Sequence, residues 1–294
     1  MRWRKRFFPG KKRYFMGGEL SDQNGLDATA ETSSYRAVDA ETYFRPSCLP
    51  VLNTAIESSF FNPYIDRPWK SIHLPQSLTL APEKTVLHYF SVLREAENLT
   101  DEKAGGCGTV GQARIPFPLA YAFFSPACRK KHSYKAFLAS FEGIGQTHLI
   151  KLNQLEGLRY FVEIETIQGS NQNATFFAYY HGIVQLEKHN GRFLIGQIIW
   201  YGEDFLCAAY HLWQHNAETS LDIKFGSWCK LIKKRWPVRQ NGYVKTIDFD
   251  GTDGGYYRFV YFQLTNGTDV LAKQLRKNSS GQWELIHLDA DGCL

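Results

Sequence analysis

The sequence predicts an α+β fold, in which a cone-like, curled antiparallel sheet packs on N-terminal helices and a smaller helix-plus-four-strand meander follows. Short apolar segments with helical spacing come first, between residues 82 and 141. Four runs rich in aromatic and β-branched residues then follow, separated by turn residues, from His148 to Tyr201. The same order, helix and then strands, starts again after residue 216.

The chain divides into an irregular N-terminal arm with a basic leader (1–80), a first α+β domain (81–205) and a second domain (206–294). Residues 17–80 keep neither a helical nor a strand period for long. Within the arm, Val51–Phe61 predicts a short helix that Asn62-Pro63 ends, because the residue before proline favours extended backbone.

Three helical pieces are predicted before the sheet. Pro82 suits the first position of one helix, the short apolar segment Pro118–Phe124 is predicted as helical, and Ser133 suits the cap position of the last helix. Ser125 suits the cap of a turn that Pro126 starts and that runs to the basic residues 129–131. The segment Asp101–Arg114 contains four glycines but lacks the Gly-Lys-Ser/Thr of a Walker loop. It predicts a flexible surface loop.

The first sheet is predicted from four strands, His148–Gln154, Tyr160–Ile167, Thr175–Glu187 and Arg192–Tyr201. His189-Asn190-Gly191 is a strong hairpin signal between the last two. Glu163 and Glu165 alternate with apolar residues, which predicts that both carboxylates face solvent.

In the second domain, Ala217–Arg235 predicts one amphipathic helix, capped by Asn216. Four strands follow: Tyr243–Phe249, Tyr256–Leu264, Asp269–Arg276 and Trp283–Leu288. Two stretches near the ends of the halves have similar sequences, which indicates an internal duplication: L-E-K-H-N-G-R-F-L-I in the first and L-R-K-N-S-S-G-Q-W-E-L-I in the second. A lone helix buries little of a four-stranded sheet, so the second domain is expected to pack against the first or against another chain.

The text S-Y-K-A-F-L-A-S-F, followed by strand, strand, hairpin and strand, carries a resemblance over residues 82–205. It resembles the nuclear transport factor two-like, or ketosteroid isomerase-like, architecture, and residues 216–290 resemble a second, cystatin-type copy. In that superfamily ligands enter between the helices and the concave sheet. Its members include isomerases, dehydratases, hydrolases and proteins without catalysis, so the resemblance does not select one function.

Polar residues within the apolar strands are the candidates for a ligand pocket, because a Tyr or His that faces an apolar cavity can bind a ligand or transfer a proton. The alternative is that they are half-buried sheet residues with ordinary hydrogen bonds. No position matches a catalytic motif of the superfamily. The pocket candidates are Tyr179, Tyr180, His181, Gln185, Trp200 and Tyr201.

The formal net charge of +5 is concentrated in a leader. Residues 1–16 carry seven of the 34 basic residues and no acid, which leaves 27 basic against 29 acidic residues in the rest of the chain. The body is therefore not a basic domain, and only the leader suits an anionic membrane surface or nucleic acid. The alternative is a disordered, solvated tail. The leader residues are Arg2, Arg4, Lys5, Arg6, Lys11, Lys12 and Arg13.

Six cysteines without a C-x-x-C pair predict separate, reduced thiols rather than a zinc site or a disulfide framework. His211 and His215 stand four apart, a spacing with which two histidines on a helix can ligate one metal ion. Because no Glu follows the first His, the sequence favours an ordinary interdomain linker over a metal site. No cofactor motif is present, and none is predicted.

No run of 18 apolar residues and no signal-peptide core is found, so a cytoplasmic protein is predicted. The leading hypothesis for function is a non-catalytic binding or assembly module that uses a concave pocket or a sheet face. Its partner would be a protein or a small molecule, and a homodimer is compatible with it. The alternative is a cofactor-free isomerase or hydratase.

Overall fold

A computed structural model describes residues 13–21, 47, 49–100, 102–103, 112–172, 174–203 and 213–293. The chain divides into two compact units, residues 1–203 and 204–294. Each unit combines helices with a largely antiparallel sheet, so the predicted α+β class is confirmed. No helix in the described ranges is both long and apolar enough to cross a membrane.

The helices of the first unit begin as predicted. The Ser125 and Ser133 hydroxyls each accept a backbone N–H at 3.2 Å and cap the helices that begin at Pro126 and Tyr134. Most of the predicted glycine-rich loop, residues 104–111, lies outside the described residues. The helices are α1 (Pro82–Arg94), α2 (Phe117–Ala122), α3 (Pro126–Lys131) and α4 (Tyr134–Ala139), preceded by 3-10 turns at Ser58–Tyr64, Trp69–Ser71 and Gln76–Thr79.

Six strands form the first sheet, in the spatial order β1-β2-β6-β5-β4-β3, and all neighbours are antiparallel except β2 and β6. The strands are β1 (Arg13–Phe15), β2 (Gly18–Leu20), β3 (Ile144–Gln154), β4 (Arg159–Gly169), β5 (Thr175–His189) and β6 (Arg192–Gly202). Asn190 and Gly191, with φ of 49° and 76°, close the predicted β5–β6 hairpin.

Two predictions for the N-terminal arm are wrong. Residues 17–20 are not irregular, since β1 and β2 form a hairpin that pairs with β6. No helix begins at Val51, and helical backbone starts only with the 3-10 turn at Ser58. Strands of three residues are too short to show a period, and the pairing that fixes them lies about 180 residues away in the sequence.

The second unit packs one helical segment on a sheet. Its strands have the order β12-β11-β10-β9-β7, and β8 also pairs with β9. The segment is α5 (Ala217–Leu221), continued by a π-helical stretch (Asp222–Trp228); the strands are β7 (Ile232–Arg235), β8 (Arg239–Asn241), β9 (Val244–Gly251), β10 (Tyr256–Gln263), β11 (Asp269–Lys277) and β12 (Trp283–Ile286). Asn216 accepts the Thr219 N–H at 3.0 Å, which confirms the predicted cap.

The predicted helix 217–235 is too long. Helical backbone ends at Trp228, Lys230 takes a left-handed conformation with φ of 52°, and residues 232–235 pair with β9 as a strand. A strand partner supplied from elsewhere in the unit therefore overrides the local helical period.

The prediction of separate, buried thiols is wrong for Cys229 and Cys293 and is confirmed for Cys128. Cys229 and Cys293 form a disulfide with a Cα–Cα distance of 5.0 Å across 64 residues of sequence. Cys128 is free and buried, and burial raises the pKa of its thiol to about 11. The disulfide joins the end of the helical segment of the second unit to the C-terminal residues. The spacing of the cysteines in the sequence does not show that these two segments lie close together.

Candidate binding surfaces

The strands of the first sheet divide the six pocket candidates between two faces. Tyr180 and Trp200 point to the face that packs on α1, α2 and α4, called here the helix-side face. Cross-strand register places Tyr179, His181 and Tyr201, with Gln185, on the opposite face. The six residues therefore do not line one pocket.

Aromatic rings occupy the space between the helices and the helix-side face. Tyr89, Phe90 and Trp200 are fully buried, and Phe90 contacts Trp200 edge-on at 6.2 Å between ring centroids. Phe137 makes edge contacts with Phe124 and Phe141 at 5.5 and 5.1 Å. This is the packing of a protein core, in the space between helices and sheet where the sequence predicted that a ligand enters.

The β1–β2 hairpin closes one side of this aromatic core. Its turn residue Met16 is fully buried, and the backbone of Met16 and the adjacent Gly17 bonds to Ser140 at 3.0 Å. Gly17 has a φ of 74°, and a Cβ there would lie 2.9 Å from the Phe137 ring, so only glycine fits. The indole N–H of Trp200 points at the Met16 carbonyl.

The opposite face of the sheet carries buried polar side chains, called here the polar rows. Glu163 and Glu165 are fully buried on it, so the prediction that they face solvent is wrong. Their carboxylates have strong partners, which offsets the cost of removing charge from water. The rows consist of His148, Glu165, Tyr179 and Glu203, and of Lys151, Glu163, His181 and Tyr201.

Short contacts link the groups of the polar rows. The Lys151 ammonium lies 2.6 Å from Glu163, and the Tyr179 hydroxyl donates to Glu165 at 2.7 Å. His148 Nδ1 lies 3.2 Å from the other oxygen of Glu165 and bonds it when that nitrogen carries the proton. Burial, reinforced by the Glu165 carboxylate, raises the pKa of Tyr179 well above its usual range.

His181 is the unusual member of the polar rows. Its ring stacks on Tyr201 at 5.2 Å, and its Nδ1 lies 3.7 Å from Glu203, beyond hydrogen-bonding distance. Burial lowers the pKa of His181 to about 4, and the Lys151 ammonium adds to the effect. The imidazole is therefore neutral, and the neighbouring Lys151 and Glu163 form an ion pair that is too buried for a substrate to reach. These features are typical of a structural network rather than of an open catalytic site.

The metal and leader hypotheses fall largely outside the described residues. His211 is not described, and His215 ends a 3-10 turn. Within the described part of the chain, no group of three His, Cys, Asp or Glu side chains is placed to hold a metal ion. Of the seven leader residues only Arg13 is described, and it begins β1 with its guanidinium 5.8 Å from the Phe15 ring.

The second sheet differs, because its helix covers one face only. Ala217, Leu221 and Phe225 pack on Phe249 and Phe259. The other face, called here the open face, exposes Trp236 to 39% and Leu285 to 40%. Register places these residues on it: Lys234, Trp236, Asp248, Asp250, Tyr256, Arg258, Val260, Lys273, Leu275, Lys277, Trp283 and Leu285.

Cations and aromatic rings alternate across the open face. Arg258 lies 4.3 Å from the centre of the Trp283 ring, and Lys234 lies 3.9 Å from that of Trp236. Asp248 binds two guanidinium groups, Arg258 at 2.8 Å and Arg239 at 2.7 Å. Burial opposes ionisation of Asp248, but the hydrogen bonds and charges of these arginines win and lower its pKa.

A small cavity of about 200 Å³ lies beside the start of α5. Its Lys245 ammonium and the Ala217 N–H both bond Asp269, at 2.8 and 2.9 Å. The Lys245 ammonium also lies 2.8 Å from the second oxygen of Asp269, so the charge of this carboxylate is paired within the second unit.

The sequence prediction located β9, β10, β11 and β12 but not β7, and it assigned none of the open-face residues to a site. A signal was present in Tyr256–Phe262, where Arg258 and Val260 alternate with the aromatic residues Tyr257, Phe259 and Tyr261. Searches against protein-family models and against characterised proteins found no match to this chain.

Proposed function

We propose that this protein is a non-catalytic binding or assembly module that docks a partner protein on the open face. In this proposal the first unit, with its nuclear transport factor two-like architecture, serves as a rigid support. The observation that carries the proposal is the exposure of Trp236 and Leu285 on a face that also bears several cations. Aromatic and aliphatic residues surrounded by charge are typical of docking surfaces.

The packing of the first unit supports this function over a cofactor-free isomerase or hydratase. Such an enzyme needs a dry pocket with an acid or base inside it. The helix-side face instead holds fully buried rings such as Phe90 and Trp200, and Met16 closes it. The buried groups of the polar rows include the Lys151–Glu163 ion pair and the hydrogen bond from Tyr179 to Glu165.

The disulfide bears on where the module works. Disulfides persist in oxidising compartments, so the Cys229–Cys293 bond supports such a compartment over the cytoplasmic location predicted from the sequence. Alkylation of free thiols in protein taken from its host without reductant tests this point. If both cysteines were alkylated in the native host, the protein would belong to a reducing compartment.

Site-specific photo-crosslinking in the host tests the docking function. A photoreactive residue at position 236 or 285 should give one discrete crosslinked protein, and the yield should fall when Trp283→Ala is added. The control is the same photoreactive residue at Lys130, which is exposed on α3 of the first unit. Absence of crosslinks at 236 and 285, together with a small molecule retained by the purified protein in native mass spectrometry, would favour the enzyme instead.

A further inference from the structure

We propose that the partner of the open face adds an extended, acidic segment to the free edge of β12. This inference rests on the proposed docking function and names the chemistry of the partner. The edge itself is the first observation. β12 ends the sheet and pairs only with β11, and no described residue outside that pair bonds the backbone of Trp283–Ile286.

The long edge strand of the first sheet is closed by the protein itself. Leu52 N–H donates to the Leu149 carbonyl, and the Asn53 side chain bonds the backbone of Thr147 and Leu149, all at 2.7–3.0 Å. Unpaired strand edges attract other strands, and native proteins usually cover them. An edge left open beside exposed Leu285 therefore suits strand addition, in which backbone hydrogen bonds give affinity and alternate side chains give specificity.

The side chains beside this edge determine what the added strand should carry. Leu285 and Leu275 lie opposite each other on the open face, as do Trp283 and Lys277, so apolar and cationic positions stand side by side. Lys273 and Lys277 have no carboxylate within 4.0 Å in the described part of the chain. Both lysines lie on β11, one strand inside the edge, and Lys277 lies 5.5 Å from the Trp283 ring. An incoming strand would then place an aliphatic side chain beside Leu285 and carboxylates at the alternate open-face positions, where the long lysine side chains reach them across β12.

Charge and ring geometry argue against two other occupants. A second copy of β12 would bring Trp283 and Leu285 but no carboxylate on the open face, so Lys273 and Lys277 would gain no anionic partner. Single-stranded nucleic acid needs aromatic faces on which bases can stack. The Trp283 ring already has Arg258 at 4.3 Å and Lys277 at 5.5 Å.

Peptide binding to the oxidised, full-length protein tests the inference. The probe is a blocked peptide of about ten residues with the repeat Glu-Thr-Val-Thr, so that one face of the added strand carries Glu and Val in turn and the other face carries Thr. We expect saturable binding that weakens as salt is raised, with amide-exchange protection centred on residues 283–286. A peptide with Lys in place of Glu should bind at least about tenfold more weakly.

Matched variants separate strand addition from simple charge attraction. Lys273→Glu with Lys277→Glu should weaken binding at least about tenfold. Lys130→Glu with Lys131→Glu, an equal change of charge at exposed positions of the first unit, should leave it unchanged. N-methylation of alternate peptide residues on the pairing side should abolish binding, because it removes the N–H donors of the added strand.

Several results would overturn the inference. These are equal binding of the Lys and Glu peptides, unchanged binding of the N-methylated peptide, tighter binding of an oligothymidine, or no binding at about 1 mM peptide. A protein that sediments as a dimer held by Leu285 would also overturn it. If crosslinks form at position 285 while the acidic peptide fails, the partner chemistry is wrong and the docking function stands. If both fail, the docking function is lost too.

Discussion

The two units use similar meander sheets in opposite ways. In the first unit the helices bury one face, and the part of the opposite face formed by β3 and β4 is buried as well, down to the charged groups of Lys151 and Glu163. In the second unit a single helical segment covers one face, and Trp236 and Leu285 remain exposed on the other. A sheet with both faces buried contributes stability, whereas a sheet with one open face has surface left for a partner.

The tryptophans provide the largest expected contrast between the units. Trp200→Ala should destabilise the first unit by about 3–5 kcal/mol, because it leaves a cavity among packed rings. Trp236→Ala should cost less than about 1 kcal/mol, since it removes an exposed ring and one cation–π contact. Urea denaturation followed by circular dichroism measures both. Similar costs for the two variants would contradict the assignment of an open face.

The Lys151–Glu163 pair should show the next effect. Lys151→Met removes the ammonium and leaves a buried carboxylate, which should cost about 3 kcal/mol or more. Adding Glu163→Gln should recover part of that loss, because the unpaired charge is then gone. A double-mutant cycle on free energies of unfolding gives the coupling. Losses that simply add would mean that the two side chains do not act as a pair.

Removal of the disulfide should act on the second unit. Cys229→Ser with Cys293→Ser opens a loop of 64 residues and should cost about 2–4 kcal/mol. Amide exchange should accelerate in α5 and β10 and stay unchanged in β4 and β5. Reductant should lower the stability of the unaltered second unit and have no further effect on that of the variant. Equal acceleration in both units would show that they do not unfold separately.

Acid should weaken the first unit through His181. The pKa of this imidazole is about 4 in the folded chain against 6.5 in its ordinary state, so stability is complete above pH 6.5. Between these values the unfolded chain binds a proton that the folded chain does not, and stability should fall by up to about 1.4 kcal/mol per pH unit. His181→Phe keeps the ring stacking and should flatten this decline. An unchanged pH profile in the variant would assign the acid sensitivity to other groups.

Local patterns were sufficient for much of the fold. Ser125, Ser133 and Asn216 cap helices as predicted, and Asn190-Gly191 closes a hairpin, because these preferences depend on a few neighbouring residues. The two stretches of similar sequence, one in each half, both form the hairpin that links the last two strands of their sheet: β5 and β6 in the first unit, and β11 and β12 in the second. Duplication of the two halves stays a prediction.

The candidate site was less accessible to sequence reasoning. Alternation places Tyr179 and Tyr180 on different faces, but a strand that is apolar on both sides gives no sign of which face meets the helices. The open face was missed because its residues come from several strands. They form one surface only once β7, β9, β10, β11 and β12 lie side by side.

By itself the sequence determined the α+β class, the four long strands of the first sheet and the cap and hairpin residues. Only the tertiary structure decided that Glu163 is buried, that residues 232–235 form a strand and that Cys229 meets Cys293. It also decided that β12 has no strand partner besides β11 among the residues that the structure describes. The physical reason is the distance along the sequence between the groups that interact. Caps and turns are satisfied within one turn of chain, whereas burial, edge pairing and disulfides depend on segments that are distant in sequence.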